Sequence, residues 1–138
     1  MKPDRRIVID TGILVSAAIR PHSVPALALE KALLHYGVCA STATLAELKT
    51  VLSRTKFDAY LSRAEREAFF AGFEQHATRF EVELVVTDCS DVKDNKFLAL
   101  AQTAAVDLIV ASDPHLTSMH PWRGIAILPP AAFLVAEL

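Results

Sequence analysis

Five short runs, mostly of Ile, Val and Leu, are spaced along this chain, and after each the hydrophobic pattern changes to helical spacing. They fall at residues 7–9, 38–40, 80–86, 108–110 and 125–128. None reaches ordinary helix length, so each reads as a strand; 80–86 alternates at first and then turns solidly apolar. Residues 11–19 form a helix closed by Arg20-Pro21. A second helix follows Ser23, with Pro25 in its first turn, Leu27, Leu29, Leu33 and Leu34 at helical spacing, and Gly37 at its end. Ser41 or Thr42 starts a third, carrying Leu45, Leu48, Val51 and Leu52. Ser62 opens a fourth that packs through Phe69, Phe70 and Phe73, and Asp91 caps a fifth around Phe97, Leu98, Leu100 and Ala101. Pro114 and Pro129-Pro130 begin two more. Strands alternating with helices predict an α/β fold, a three-layer sandwich with a central, mostly parallel sheet flanked by helices.

Composition agrees with that layering. Hydrophobic residues make up 52% of the 138 positions, as strands covered on both faces require. The length suits one domain spanning residues 1–138, with no repeat or linker to divide it. Asp10 interrupts the apolar stretch near the N-terminus, and no run approaches the ~18 residues of a membrane span. Cys39 and Cys89 show no metal or redox spacing and read as free thiols. These features predict a cytoplasmic protein with no membrane partner. A formal net charge of −2 offers no general attraction for nucleic acid, so any such contact needs a local patch or a metal.

Four acids stand where a strand or turn gives way to a helix: Asp10, Glu47, Asp94 and Asp113. Each fits a helix start on its own. Asp10 and Asp113 can serve as N-caps, the latter with Pro114 at N1; Glu47 can close a capping box with Thr44; Asp91 and Asp94 can be an N-cap and N3 pair. A parallel sheet, however, gathers the carboxyl ends of its strands along one edge, where ligands bind. Carboxylates brought within about 5 Å repel by roughly 3 kcal/mol per pair at an effective dielectric of ~20. A cation or raised pKa values must offset that cost. Oxygen-only ligands select Mg2+ or Mn2+ over zinc. A receiver-like phosphotransfer protein also uses strand-end aspartates, but only 4 glycines occur and none forms a phosphate-cradling loop.

The segments IVIDTGILVSA, AELKTVLSRTKF, DVKDNKFLALA and DLIVASDPHL resemble PIN-domain proteins, chiefly the bacterial VapC-like subgroup regarded as toxins of toxin–antitoxin systems. The resemblance runs from Ile7 to about Leu116. It implies a parallel sheet between helices and metal-dependent cleavage of single-stranded RNA, with Mg2+ or Mn2+ as cofactor. Asp10, Glu47, Asp94 and Asp113 match the acidic quartet, as catalytic and metal-binding residues. Thr11 matches the polar neighbour that supports the first acid, and Asp91, Asn95 and Ser112 are expected to support the site. The implied partners are RNA and an antitoxin protein. The sequence departs from the family pattern at three places. Gly12 replaces the usual asparagine, Ser112 a common glycine, and His115 a further acid. A PIN fold weakened in catalysis and acting as a binding module is therefore the alternative.

Lys49, Arg54 and Lys56 follow Glu47 and are candidate contacts to RNA phosphates, although a solvated helix end has the same composition. His115 and His120 lack metal-ligand spacing and read as ordinary surface or half-buried residues. Trp122 reads as a packing residue. The phenylalanines of the fourth helix exceed what one core face needs, which predicts a homo-oligomer, such as a homodimer.

Overall fold

The computed structural model describes residues 4–137. Strands β1 (Arg6–Ile9), β2 (Gly37–Ala40), β3 (Thr78–Arg79), β4 (Leu108–Val110) and β5 (Ala126–Leu128) form one sheet of order β3-β2-β1-β4-β5. All four pairings are parallel. Helices α1 (Thr11–Ile19), α2 (Val24–His35), α3 (Thr42–Leu52), α4 (Arg63–His76), α5 (Asn95–Thr103), α6 (Pro114–Thr117) and α7 (Pro130–Val135) flank it. The predicted three-layer PIN-like architecture is the one observed. No single helix among the described residues is long and apolar enough to cross a membrane.

The two-residue period of a strand divides the core. Ile7 and Ile9 of β1, with Leu108 and Val110 of β4, pack with Ile13, Leu14, Leu45, Leu48 and Phe133 on one face. Val8 and Ile109 point the other way, into Phe97, Leu98, Leu100, Ile127 and Trp122. Trp122 also donates from Nε1 to Asp88 Oδ2 at 2.9 Å, so it packs as expected. Both cysteines are buried.

The sheet order places the site. The chain leaves central β1 toward β2 and β3, then crosses back to β4 and β5 on the other side. The switch point therefore lies between the carboxyl ends of β1 and β4, where a parallel sheet opens its crevice. Asp10 directly follows β1, and Asp113 lies three residues past β4.

The boundaries differ from expectation in two places that matter. The predicted strand at 80–86 is not one. Pairing stops at Thr78 and Arg79, opposite Cys39 and Ala40, with one last bond from Phe80 N–H to the Ala40 carbonyl at 2.8 Å. Beyond Ala40 the neighbouring chain turns into α3, so residues 81–86 have no ladder to join, and Val85 is 83% exposed. Asp91 caps a 3-10 turn, Val92–Asp94, by accepting from Lys93 N–H, and α5 begins only at Asn95. The phenylalanines of α4 are also not in surplus: Phe73 is buried, and Phe69 and Phe70 pack on the same core.

Candidate metal centre

Asp10 is buried and held from both sides. Its Oδ1 accepts from Ile13 N–H at 3.0 Å, which caps α1. Its Oδ2 accepts from Ser112 N–H at 2.9 Å and Asp113 N–H at 3.4 Å, which ties β1 to the loop after β4. Burial pushes its pKa up, against the three N–H groups that favour the charged form. Capping and site placement are thus the same act.

Glu47 caps nothing. Ser41 and Thr44 close the capping box of α3 between themselves, leaving Glu47 one turn further in. Its Oε2 accepts from Thr11 Oγ1 at 2.5 Å and its Oε1 from Lys96 Nζ at 3.1 Å. Thr11 therefore steadies the second acid of the quartet, whereas the resemblance assigns it to the first.

The densest charge lies around Asp94. Ligand atoms of Asp91, Asp94, Asp113 and His115 all fall within 4.8 Å of one another. Asp94 is 4% exposed, and its Oδ2 has no hydrogen-bond partner. Burial, followed by the adjoining Asp113 carboxyl, raises Asp94 to about 6. Burial also acts upward on Asp113, but His115 N–H, Asp94 and Lys93 outweigh it, and its pKa falls below the ordinary value. Lys93 reaches into this cluster, its Nζ 3.1 Å from Asp91 Oδ2, 3.3 Å from Asp94 Oδ1 and 3.5 Å from Asp113 Oδ2. The bond to Asp91 and the neighbouring carboxylates drive its pKa up.

Asp10, Glu47, Asp94 and Asp113 line one recess of about 710 Å³ together with Thr11, Lys93, Lys96 and Ser112. Of the other supporting positions, Asp91 joins the carboxylate cluster, while Asn95 stands behind it. Asn95 Oδ1 accepts from Cys89 N–H at 2.8 Å and fastens the incoming loop to α5. The three basic candidates separate. Arg54 lines the acidic recess and, with Lys56, an adjoining groove that includes Arg20, Phe57 and Tyr60. Lys49 lines a different hollow beside Glu67 and Glu74.

Two of the three departures from the family pattern meet in space. A Cβ added to Gly12 would lie 2.6 Å from Ser112 Oγ. The bulk missing at position 12 is supplied at position 112, across the junction of α1 and the loop after β4. The third, His115, puts Nδ1 3.7 Å from carboxylate oxygens of both Asp91 and Asp113. Sequence spacing did not single out Lys93, Lys96 or His115. The available signal was their position beside acids at two helix starts, where successive side chains fan around one terminus.

The donor set fits a hard divalent cation: three carboxylates, with one oxygen buried and unsatisfied, beside a single imidazole, His115. A parallel sheet with an acidic recess at its switch point defines a three-layer α/β protein with a candidate metal centre. The PIN domain family profile matches residues 6–115, and the chain belongs to that family. No curated protein gives a significant sequence match. Among solved structures, VapBC2 from Rickettsia felis, bound to a DNA fragment from their promoter, superposes with TM-score 0.62 at 13% identity, covering 90% of this chain and 98% of that one. PAE2754 from Pyrobaculum aerophilum gives TM-score 0.62 at 13% identity over 94% and 88%. VapC20 from Mycobacterium tuberculosis, a sarcin-ricin loop cleaving toxin, gives 0.54 at 12% over 87% and 98%. At these identities the likeness is one of fold.

Proposed function

We propose that this protein is a divalent-metal-dependent endoribonuclease that cleaves single-stranded RNA and acts as the toxin of a toxin–antitoxin pair. The observation that carries the reading is the convergence of four carboxylates in one recess, with Asp94 Oδ2 buried and unpartnered. Asp10, Asp94 and Asp113 would hold the ion, Mg2+ or Mn2+. When bound, such an ion polarises the scissile phosphate and makes a water molecule acidic enough to attack at neutral pH. Glu47 has both oxygens engaged by Thr11 and Lys96, so it is fixed in one orientation, from which it would ligate an ion or align the attacking water. Arg54, at the edge of the recess, is placed to grip a flanking phosphate, with Lys56 further along the groove. Lys49 has weaker support, since acids share its hollow.

Membership of the PIN family and the VapC20 neighbour support the nuclease and toxin readings. The VapBC2 neighbour supports an antitoxin partner. On this reading the protein would act in the cytoplasm, on cellular RNA. The second reading, a binding module with weakened catalysis, is favoured by Lys93, whose ammonium already offsets part of the cluster's charge. One assay separates them. With Mn2+ present, the wild type should cut a single-stranded RNA, and Asp94→Asn should lower the rate by at least ~100-fold, as losing a charged group that acts in the transition state does. Cleavage unchanged in Asp94→Asn would sink the site assignment. RNA binding without cleavage by the wild type would select the binding module.

A further inference from the structure

We propose that Lys93 is a built-in counter-ion that competes with the divalent cation for the acidic cluster and so sets how tightly the ion is held. The inference rests on the metal-centre reading above. Lys93 Nζ contacts carboxylates from two separate parts of the fold: Asp91 and Asp94 on the turn before α5, and Asp113 after β4. These are the oxygens a cation would need. The side chains it bridges are 27%, 5% and 26% exposed, whereas that of Lys93 is 58% exposed. The acids are therefore fixed in the recess, and the ammonium is the member free to withdraw along its flexible stem into water.

The other lysine of the recess cannot take its place. Lys96 is committed to Glu47 and to the Lys93 carbonyl, at 3.1 and 2.5 Å. His115 Nδ1 stays 3.7 Å from Asp91 and Asp113. An ammonium brings one charge to three carboxylates, and its contact with Asp94 is through Oδ1, so Asp94 Oδ2 remains unpartnered. A divalent ion brings twice the charge and can accept several oxygens at once. Either cation relieves part of the repulsion among the acids, the divalent ion the larger part. Without its ion the fold keeps the acids together; with its ion, Lys93 is released at the recess wall, where a phosphodiester enters.

The test is Mn2+ binding to the full chain, by isothermal titration calorimetry, with no RNA present. Lys93→Gln removes the competitor and should bind Mn2+ about tenfold more tightly, a coupling of the usual size between linked ligands. Lys93→Arg keeps the charge and should bind like the wild type. Thermal melts in EDTA should show Lys93→Gln less stable than the wild type, and saturating Mn2+ should close the gap. Equal or weaker Mn2+ binding by Lys93→Gln overturns the proposal, because Lys93 would then be arranging the carboxylates rather than competing for them. A wild type that takes up no Mn2+ overturns the metal-centre reading and this proposal together, a separate and recognisable result.

Discussion

Asp94 is held in a conflict that its neighbours only partly relieve: one oxygen bonds Lys93, the other bonds nothing, and the Asp113 carboxyl adjoins it. Its carboxyl titrates near 6 in the metal-free fold, against about 3.9 for an unfolded aspartate. A carboxyl raised by folding contributes stability that is complete below the unfolded pKa and lost as pH rises through the folded one. In EDTA, the wild type should therefore lose stability between pH 4 and 7 on account of this residue. Asp94→Asn should remove that loss and melt higher at pH 8, by roughly 3 °C or more for each kcal/mol of repulsion relieved. The same substitution expected to lower cleavage should thus stabilise the protein in EDTA. A melting temperature lower than the wild type at pH 8 would show that Asp94 is needed for folding more than for the site. At this scale Asp10, Asp94 and Asp113 were visible in the sequence as acids at helix starts, while Glu47 lies inside α3 and joins them only in the recess. The quartet's division of labour was not visible: Thr11 reaching Glu47, and Lys93 reaching three acids, depend on side-chain directions that spacing does not supply.

Elements act on the site through their junctions. Helix α1 starts on Asp10, and the loop after β4 donates two N–H groups to the same carboxylate, so the first turn of α1 and that loop are pressed together. Gly12 and Ser112 occupy the contact. Alanine is ordinarily better than glycine in a helix by up to about 1 kcal/mol. Gly12→Ala should gain less than this, or lose, because its methyl meets Ser112 Oγ. In a Ser112→Gly background the same change should recover the full gain. Chemical unfolding of the four proteins checks it, and additive effects would disprove the coupling. The caps at Ser23, Ser41 and Ser62 were readable because a small polar side chain before an apolar periodic segment satisfies a free N–H. The short β3 was not readable. The stretch 80–86 has strand-like composition, but the length of a strand depends on what its neighbour offers, and β2 ends at Ala40.

For the molecule as a whole, the sheet order decides where chemistry can occur. With β1 between β2 and β4, the crevice opens between β1 and β4, and the acids following them face each other. Self-association also belongs to this scale. The phenylalanines of α4 no longer motivate it, since they pack on the core. Helix α2 presents Val24, Leu27 and Leu34, between 43% and 66% exposed and spaced along one face. Sedimentation tests self-association through this face: a dimer that Leu34→Glu disrupts would support it, and a wild type that remains monomeric at high concentration would defeat it.

The sequence by itself determined the alternation of strands and helices, the two-sided apolar core and the acids that cap helix starts. Those depend on hydrophobic period and on local capping chemistry, both written in consecutive residues. Tertiary structure alone decided that Asp10 and Asp113 share a crevice, that Gly12 and Ser112 fill one another's space, and that Lys93 lies among the carboxylates. Each of these joins segments held together by strand order and packing. Sequence spacing carries no term for such distances, and the crossover from β3 back to β4 supplies it.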